Sequence, residues 1–354
     1  KETLARVYTP GVGRVSSVIA KNPKLARTVT WKGRVVAVIS DGTAVLGLGN
    51  IGPLAALPVM EGKSILFKEL AGVDAVPLVL DEKDPKEIIK IIRAVSPTFG
   101  AILLEDFKAP ECFEIEKELK EILDIPVLHD DQHGTAMVVL AGLINACKVT
   151  KRKLKDISVG IVGAGAAGTA ITKLLLASGI TDIRVMDRHG VINKKRTDLN
   201  IYKKELAEIT NPKNINGEIK DGLKNCDVLV GVSGPGNITK EDLENMAEDP
   251  IIFALANPIP EIMPEEAKKI GARVIATGRS DFPNQVNNAL IFPGLFKGML
   301  KYEGLKITED LMVAVSHSVA GIIKKPNTNN IIPDVFNKNL VPTIMKTIGK
   351  YAKK

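Results

Sequence analysis

The segment between residues 157 and 187 constrains the fold more than any other part of the chain. It contains an apolar run, the turn VGAGAAG, a long proline-free stretch that suits a helix, and a second apolar run that ends at Asp187. Gly163, Gly165 and Gly168 have the spacing G-x-G-x-x-G, and Asp187 follows at roughly the 20 residues typical of an acid that binds a ribose hydroxyl. This pattern predicts a βαβ unit that holds the pyrophosphate of a dinucleotide at a helix N-terminus.

We predict that this turn and the end of the second strand bind the cofactor. The predicted cofactor residues are Gly163, Ala164, Gly165, Ala166, Ala167, Gly168, Asp187 and Arg188. The carboxylate of Asp187 would repel a 2′-phosphate and so favours NAD, whereas Arg188 and the basic run at 193–196 would accommodate the phosphate of NADP. NAD is therefore preferred and NADP stays open. A tight strand–helix turn without a ligand is the alternative interpretation.

A second stretch, VLGLGNIG, repeats the same glycine spacing near residue 47. Two prolines, Pro53 and Pro58, follow it closely, from which we predict that no long helix begins there. We predict irregular backbone beside a site, with Gly47, Gly49 and Asn50 facing substrate or cofactor. A plain glycine turn is the alternative.

Short β-branched runs alternate with amphipathic helical patterns along the chain, which is typical of parallel α/β sheets. Strands are predicted at residues 35–39, 64–67, 75–80, 100–104, 125–128, 226–232, 251–256 and 272–277. We expect the fold class α/β, with an N-terminal parallel α/β domain over residues 1–150. A Rossmann-type dinucleotide-binding domain with a helical C-terminal extension is expected over residues 151–354.

Two acidic pairs follow neighbouring predicted strands of the first half. Glu105 and Asp106 end one strand, and Asp130 and Asp131 end the next, ahead of a helix predicted from about Thr135. Ligands bind outside the carboxyl ends of parallel strands, and clustered acids repel one another unless a cation lies among them. We therefore predict a Mg²⁺ or Mn²⁺ site. Capping of the following helices by these acids is the alternative.

The composition limits the partners that we expect. The net charge of +7 is scattered among acids and aromatic residues make up only 4% of the chain, so we expect no nucleic-acid binding. No apolar run reaches the ~20 residues that a membrane span requires, so we expect no membrane insertion. The three cysteines lie far apart and are odd in number, which indicates a reducing compartment and hence the cytoplasm.

Two further residues are candidates for catalysis, although residue type alone favours neither strongly. Tyr8 lies in the turn YTPGV, and Lys63 precedes the predicted buried strand at 64–67. A buried lysine can have a lowered pKa and serve as a base.

Taken together, these motifs resemble those of malic enzymes of the compact prokaryotic type. The matching stretches are YTPGV, ISDGTAVLGLGNIG, PVMEGKSILFK, GVDAVP, LEDFKAPECF, HDDQHGTA, GAGAAG, ALANPIPE and NNALIFPG. The resemblance implies oxidative decarboxylation of L-malate to pyruvate and CO₂, with NAD(P)⁺ and Mg²⁺ or Mn²⁺. It also implies a homodimer or a higher homo-oligomer.

The resemblance implies a role for each candidate. Lys63 would take the proton of the C2 hydroxyl, tuned by Asp130, and Tyr8 would protonate C3 of enolpyruvate, in its own subunit or in the partner's site. The implied metal ligands are Glu105, Asp106 and Asp131.

Three amides and one departure complete the comparison with the family. Asn257 and Asn288, with Asn287 beside them, resemble the family's amides near nicotinamide and substrate. Larger animal-type members carry an arginine for a substrate carboxylate where this chain has Ala44, and Arg279 is a candidate replacement.

Other functions stay open at this point. A malolactic enzyme, which converts malate to lactate, would retain the same groups. An amino-acid or shikimate-type dehydrogenase would not need a metal. A non-catalytic nucleotide-binding regulator would not need Tyr8, Lys63 and the acids together.

Overall fold

The computed structural model describes residues 1–353, and the first half of the chain forms a sheet of parallel strands. Its strands are β1 (Val35–Ser40), β2 (Asp74–Val79), β3 (Ala101–Leu104) and β4 (Val127–His129). Their order is β2-β1-β3-β4, and every pair is parallel. The residues that follow β3 and β4 therefore meet at one edge of this sheet.

The second half forms a Rossmann-type sheet of six strands. These are β5 (Ser158–Val162), β6 (Asp182–Asp187), β7 (Gly190–Val191), β8 (Val228–Gly231), β9 (Ile251–Ala254) and β10 (Val274–Thr277). The order is β10-β9-β8-β5-β6-β7, and only the short β7 is antiparallel to its neighbour. The strand order reverses between β5 and β8, which is where such sheets bind ligands. The predicted fold class is confirmed.

Fifteen α-helices surround the two sheets within the described residues. They are α1 (Glu2–Val7), α2 (Gly11–Lys21), α3 (Ala26–Val29), α4 (Pro53–Ala71), α5 (Pro85–Val95), α6 (Glu111–Ile122), α7 (Asp130–Val149), α8 (Ala166–Ala177), α9 (Ile201–Ile209), α10 (Ile219–Leu223), α11 (Lys240–Leu243), α12 (Pro264–Lys269), α13 (Phe292–Lys301), α14 (Glu309–Ala320) and α15 (Leu340–Tyr351). Within residues 1–353, none of them combines the length and the apolar character that crossing a membrane requires.

Helix α4 corrects two predictions. The sequence predicted no long helix after the first glycine loop and a strand at 64–67, yet 53–71 is one helix. Pro53 occupies the first helical turn, where no backbone N–H needs a partner, and Pro58 is tolerated inside the helix. The buried residues Ala56, Met60, Lys63, Phe67 and Ala71 are spaced by three and four, which is a helical period. The run SILF is therefore one turn of a helix.

Helix α7 also begins earlier than predicted, at Asp130 instead of near Thr135. Asp130 and Asp131 are consequently its first two residues, where a negative charge is favourable to the helix dipole. The helix is almost wholly buried and packs against α8 and α14. The main apolar core is continuous from Leu103 of β3 to Val230 of β8, so α7 joins the two sheets into one body.

Candidate active site

A cavity of about 580 Å³ lies where the carboxyl ends of both sheets face each other. The first sheet contributes Glu105 and Asp106 after β3, and α7 contributes Asp131. The second sheet contributes Ser233 after β8 and Asn257 after β9. The topology therefore gathers residues from distant parts of the sequence into one cleft.

Three carboxylates converge in this cavity. One oxygen each of Glu105, Asp106 and Asp131 lie within 4.8 Å of one another. The backbone N–H of Asp106 donates a hydrogen bond of 2.8 Å to Oδ2 of Asp131, and Asp106 has a left-handed φ of 59°. Such a conformation is uncommon for a residue other than glycine, and here it turns the chain sharply at the end of β3.

The three carboxylates fit a hard divalent cation. Oε2 of Glu105 and Oδ2 of Asp106 are buried without a hydrogen-bond partner among the described residues. Burial and the neighbouring Asp131 raise the pKa of Glu105 well above its usual value, and the same two causes raise the pKa of Asp106 to about 7. Unpaired buried oxygens of this kind are what Mg²⁺ or Mn²⁺ would coordinate.

Lys63 projects from α4 into the same cluster. Its Nζ lies 2.9 Å from Oε1 of Glu105 and 2.5 Å from Oδ2 of Asp130. Burial alone would lower the pKa of Lys63, but Asp130, Glu105 and Asp131 together raise it. Asp130 is fully buried and does not line the cavity, so it acts on Lys63 instead of contacting a ligand directly.

The first glycine loop covers one side of the cavity. Gly47 and Gly49 line it together with Ala44, whereas Asn50 is exposed and lies outside it. A Cβ on Gly47 would lie 2.3 Å from the carbonyl oxygen of Asn257, so only glycine permits this close approach. The loop therefore shapes the cavity through its backbone.

The three predicted amides, Asn257, Asn287 and Asn288, all line the cavity. Asn287 accepts a hydrogen bond of 2.9 Å from the backbone N–H of Ala289, which fixes its side chain at the start of a short 3₁₀ turn. Asn257 follows β9 of the second sheet, whereas Asn287 and Asn288 begin the 3₁₀ turn that packs against α7.

A second cavity of about 660 Å³ extends along the predicted dinucleotide turn. It contains Gly163, Gly165 and Asp187, and it shares Val232 and Ser233 with the first cavity. The two cavities are therefore adjacent, with Val232 and Ser233 in the wall of both.

The glycines of this turn fit a bound pyrophosphate. A Cβ on Gly168 would lie 1.8 Å from the carbonyl oxygen of Gly163, so the close packing of helix and turn requires glycine there. A Cβ on Gly165 would meet nothing within 4 Å, which leaves open space beside the N-terminus of α8. Ala166 begins that helix, as the sequence predicts, whereas Ala167 lines the first cavity and not the dinucleotide cavity.

Two sequence candidates lie away from the cavity. Tyr8 is 65% exposed at the end of α1 and is not among the cavity residues of its own chain. Arg279 is hydrogen-bonded to Asp281 and to the carbonyl oxygen of Pro258, outside the cavity. A single chain therefore presents neither side chain to a ligand bound at the carboxylates.

The sequence did not single out three residues that the structure places at the site. Ser233 follows β8, and its position at the carboxyl end of a parallel strand was the available signal. Glu261 is buried and accepts hydrogen bonds from the backbone N–H groups of Ser233 and Ala256. Lys203, on α9, contacts Asp187 in the cofactor cavity.

The dinucleotide cavity of a Rossmann-type sheet here adjoins a cavity with a buried lysine and three carboxylates. This is the architecture of an NAD(P)-dependent oxidoreductase. The family model described as "Malic enzyme, N-terminal domain" matches residues 1–120, and the one described as "Malic enzyme, NAD binding domain" matches residues 132–352. The chain belongs to the malic enzyme family, and the resemblance inferred from the sequence is confirmed.

Individual relatives cover nearly the whole chain. The NAD-dependent malic enzyme of Geobacillus stearothermophilus is 54% identical over 99% of this chain and 74% of its own length. The bifunctional malic/malolactic enzyme of Bacillus subtilis is 48% identical over 99% of this chain and 86% of its own length. The crystal structure of the NAD-dependent malic enzyme from Thermotoga maritima superimposes with a TM-score of 0.95 at 44% identity, covering 98% of this chain and 92% of that one.

Proposed function

We propose that the protein catalyses the oxidative decarboxylation of L-malate to pyruvate and CO₂, with reduction of NAD(P)⁺ and with Mg²⁺ or Mn²⁺. The observation that carries this proposal is the position of Lys63 beside Glu105, Asp106 and Asp131, in a cavity that adjoins the dinucleotide cavity. Few reactions require a base, a cation site and a hydride acceptor together.

Each residue has a distinct part in this proposal. Lys63 takes the proton of the C2 hydroxyl, and Asp130 holds its ammonium group in position. Glu105, Asp106 and Asp131 would hold the divalent cation. When bound, the dinucleotide would supply the acceptor for the C2 hydride, and the cation would supply Lewis acidity at the C2 oxygen. After CO₂ has left, Tyr8 protonates C3 of enolpyruvate to give pyruvate.

The electrostatics of the cation-free site explain why a base here would need the metal. Lys63 must be neutral to accept a proton, yet the surrounding carboxylates raise its pKa. A divalent charge at Glu105, Asp106 and Asp131 would offset the cause of that rise.

We propose a homodimer or a higher homo-oligomer in which Tyr8 of the partner subunit completes the site. Tyr8 lies outside its own cavity, and α1 and α2 have no buried residue. The exposed large apolar side chains of these helices and of the turn between them are Leu4, Val7, Tyr8, Val12, Val15 and Val18. A second copy of the chain would cover this apolar surface.

The remaining proposals concern cofactor choice, place and domains. NAD is the preferred cofactor because the carboxylate of Asp187 lines the cavity that would hold the adenosine end.

The cytoplasm is the proposed location, since the three cysteines are free and buried. The domain boundary near residue 150 stays a prediction.

The test is a single assay for reduced nicotinamide with L-malate, Mn²⁺ and either NAD⁺ or NADP⁺, followed by measurement of pyruvate and lactate. We expect NAD(P)H and pyruvate to form in equal amounts. A chelator should abolish both products, and so should Lys63→Ala, although the variant should still bind the dinucleotide.

The metal ligands have a test of their own. Asp131→Asn should weaken Mn²⁺ binding in calorimetry. Full turnover in the presence of chelator would refute the metal-dependent reaction.

Malolactic activity is the second candidate, because the similar Bacillus subtilis enzyme is named for both activities. It would use the same cavity and keep the reduced cofactor bound. Lactate formed without free NADH in the same assay would support it, and pyruvate alone would exclude it.

A further inference from the structure

A buried carboxylate from α6 holds the start of α7 in place. Glu116 is only 5% exposed and is not among the residues that line the carboxylate cavity. Its Oε1 accepts a hydrogen bond from the backbone N–H of His129 at 2.9 Å, and its Oε2 accepts from Nε2 of His133 at 2.8 Å and from Nε2 of Gln132 at 3.3 Å. These three partners come from one short segment, which also contains Asp131 of the proposed cation site.

Glu116 is ionised in these surroundings. Burial alone would raise the pKa of Glu116, but His133 and Lys120 lower it below its usual value. Nζ of Lys120 lies 2.8 Å from Oε1, so each oxygen of this carboxylate has two partners. An ionised carboxylate accepts hydrogen bonds and donates none, so every group around Glu116 must present a proton to it. Glu116 therefore fixes the orientation of the side chains that it contacts.

The same network determines which ring nitrogen of His129 carries the proton. The amide of Gln132 must turn its NH₂ group towards Glu116, because the carboxylate cannot donate. That nitrogen also lies 3.2 Å from Nδ1 of His129, so Nδ1 accepts and the proton is on Nε2. The ring is fully buried at the end of β4, and Phe107 packs against it with ring centroids 6.3 Å apart. The neighbours of His129 thus hold both its ring and its tautomer.

The Nε2–H of His129 lies beside the carboxylate of Asp131. Nε2 is 3.5 Å from Oδ2 of Asp131 and has no hydrogen-bond partner within residues 1–353. A buried ring N–H without an acceptor is uncommon, and a small approach of this carboxylate would satisfy it. The same Oδ2 accepts the hydrogen bond from the N–H of Asp106. Both protein donors therefore lie at one oxygen of Asp131, and the other oxygen remains for a cation.

We propose that His129 is a positioning residue for the proposed metal ligand Asp131, and that Glu116 in turn positions His129. The chain of contacts runs from Glu116 through Gln132 to His129 and ends at Oδ2 of Asp131. It holds that oxygen on the protein side, so that Oδ1 is the oxygen presented to a cation. Neither His129 nor Glu116 is itself a metal ligand in this arrangement. The inference rests on the proposed function only in so far as Asp131 binds a divalent cation.

The test separates the Nε2–H of His129 from the volume of its ring. In His129→Gln the amide reaches the place of Nε2, in His129→Asn it reaches only that of Nδ1, and His129→Leu has no donor. Mn²⁺ binding to each metal-free variant is measured by calorimetry. We expect His129→Gln to stay within about threefold of the wild-type affinity, and the other two variants to lose about tenfold or more. NAD⁺ binding, measured on the same samples, should be unchanged in all three.

Glu116→Gln tests the other end of the chain of contacts. The amide keeps the shape of the carboxylate but brings an NH₂ group against groups that donate, so His129 and Gln132 would turn away. We expect about tenfold weaker Mn²⁺ binding. The matched control is Glu118→Gln, an exposed position on the same helix, which should leave Mn²⁺ binding unchanged. Melting curves in chelator show whether each variant is folded.

A Mn²⁺ affinity of His129→Leu within about twofold of wild type would overturn the inference. So would equal Mn²⁺ affinities of His129→Gln and His129→Asn, and this pair still decides if His129→Leu does not fold. Mn²⁺ binding without pyruvate formation would instead contradict the proposed function, and the affinities of the variants would still decide the role of His129. Wild-type protein that binds no Mn²⁺ would refute both.

Discussion

At the scale of single residues, the centre of the site carries more negative than positive charge. Glu105 and Asp130 contact the ammonium of Lys63, and Asp106 and Asp131 lie beside them. One cation cannot offset four carboxylates, and burial raises the pKa of Glu105, Asp106 and Asp130. The metal-free protein therefore carries an electrostatic strain that a divalent cation would relieve.

We predict that Asp106→Asn stabilises the metal-free protein at pH 8. The folded protein holds the Asp106 proton up to about pH 7, whereas the unfolded chain releases it near its usual pKa of 3.8. The folded state thus binds more protons between these values, and the free energy of unfolding falls as pH rises from about 4 to 7. Replacing the carboxylate by an amide removes this loss of stability. In chelator at pH 8, the variant should therefore melt roughly 2–5 °C above wild type.

Melting curves at pH 5 and pH 8, with chelator and with Mn²⁺, check this prediction. Mn²⁺ should raise the melting temperature of wild type and of the exposed control Asp124→Asn, but not that of Asp106→Asn. A lower melting temperature for Asp106→Asn at pH 8 in chelator would show that the carboxylate contributes stability without a metal.

At the scale of elements, one buried carboxylate ties together the loops that follow β8 and β9. Oε1 of Glu261 lies 2.8 Å from the N–H of Ser233, and Oε2 lies 3.0 Å from the N–H of Ala256. Ser233 lines both cavities, and Asn257 follows Ala256 directly. Glu261 is therefore a positioning residue for the wall that would hold the nicotinamide end of the cofactor.

We predict that Glu261→Gln raises the KM for NAD⁺ by about tenfold and changes kcat less. The amide NH₂ would face a backbone N–H that now donates to a carboxylate, so one of the two loops would shift. Steady-state kinetics with the exposed neighbour Glu265→Gln as control would measure the split. A lower melting temperature with an unchanged KM would reduce Glu261 to a structural role.

The elements also show what the sequence could predict. Glu105, Asp106 and Asp131 were predictable as a cluster because the carboxyl ends of neighbouring parallel strands meet at one edge. The position of Lys63 on a helix was not predictable, because the run SILF suits a strand locally. Only the burial of one face of α4 makes this segment helical. The position of Glu261 was hidden as well, since its partners are backbone N–H groups that have no sequence signal.

At the scale of the whole molecule, a single chain holds the proposed base and the proposed cation site together but not the proposed acid. Lys63 is buried in the cavity, whereas Tyr8 is exposed immediately after α1, outside the cavity. Closed symmetric dimers give each subunit the same contacts, so an N-terminal segment that reaches one partner site implies two shared sites. The proposed oligomer would then be a condition of activity.

This arrangement predicts complementation between two inactive variants. Tyr8→Phe and Lys63→Ala homodimers should each fail to form pyruvate from malate, and Tyr8→Phe should still reduce oxaloacetate with NADH. If Tyr8 of the partner subunit acts in each site, a heterodimer has one site with both defects and one intact site. Equal mixing after dissociation and reassociation makes half of the dimers heterodimers, so pyruvate formation should recover to about a quarter of wild type. No recovery, with heterodimers demonstrated by differential tagging, would place Tyr8 in the site of its own chain.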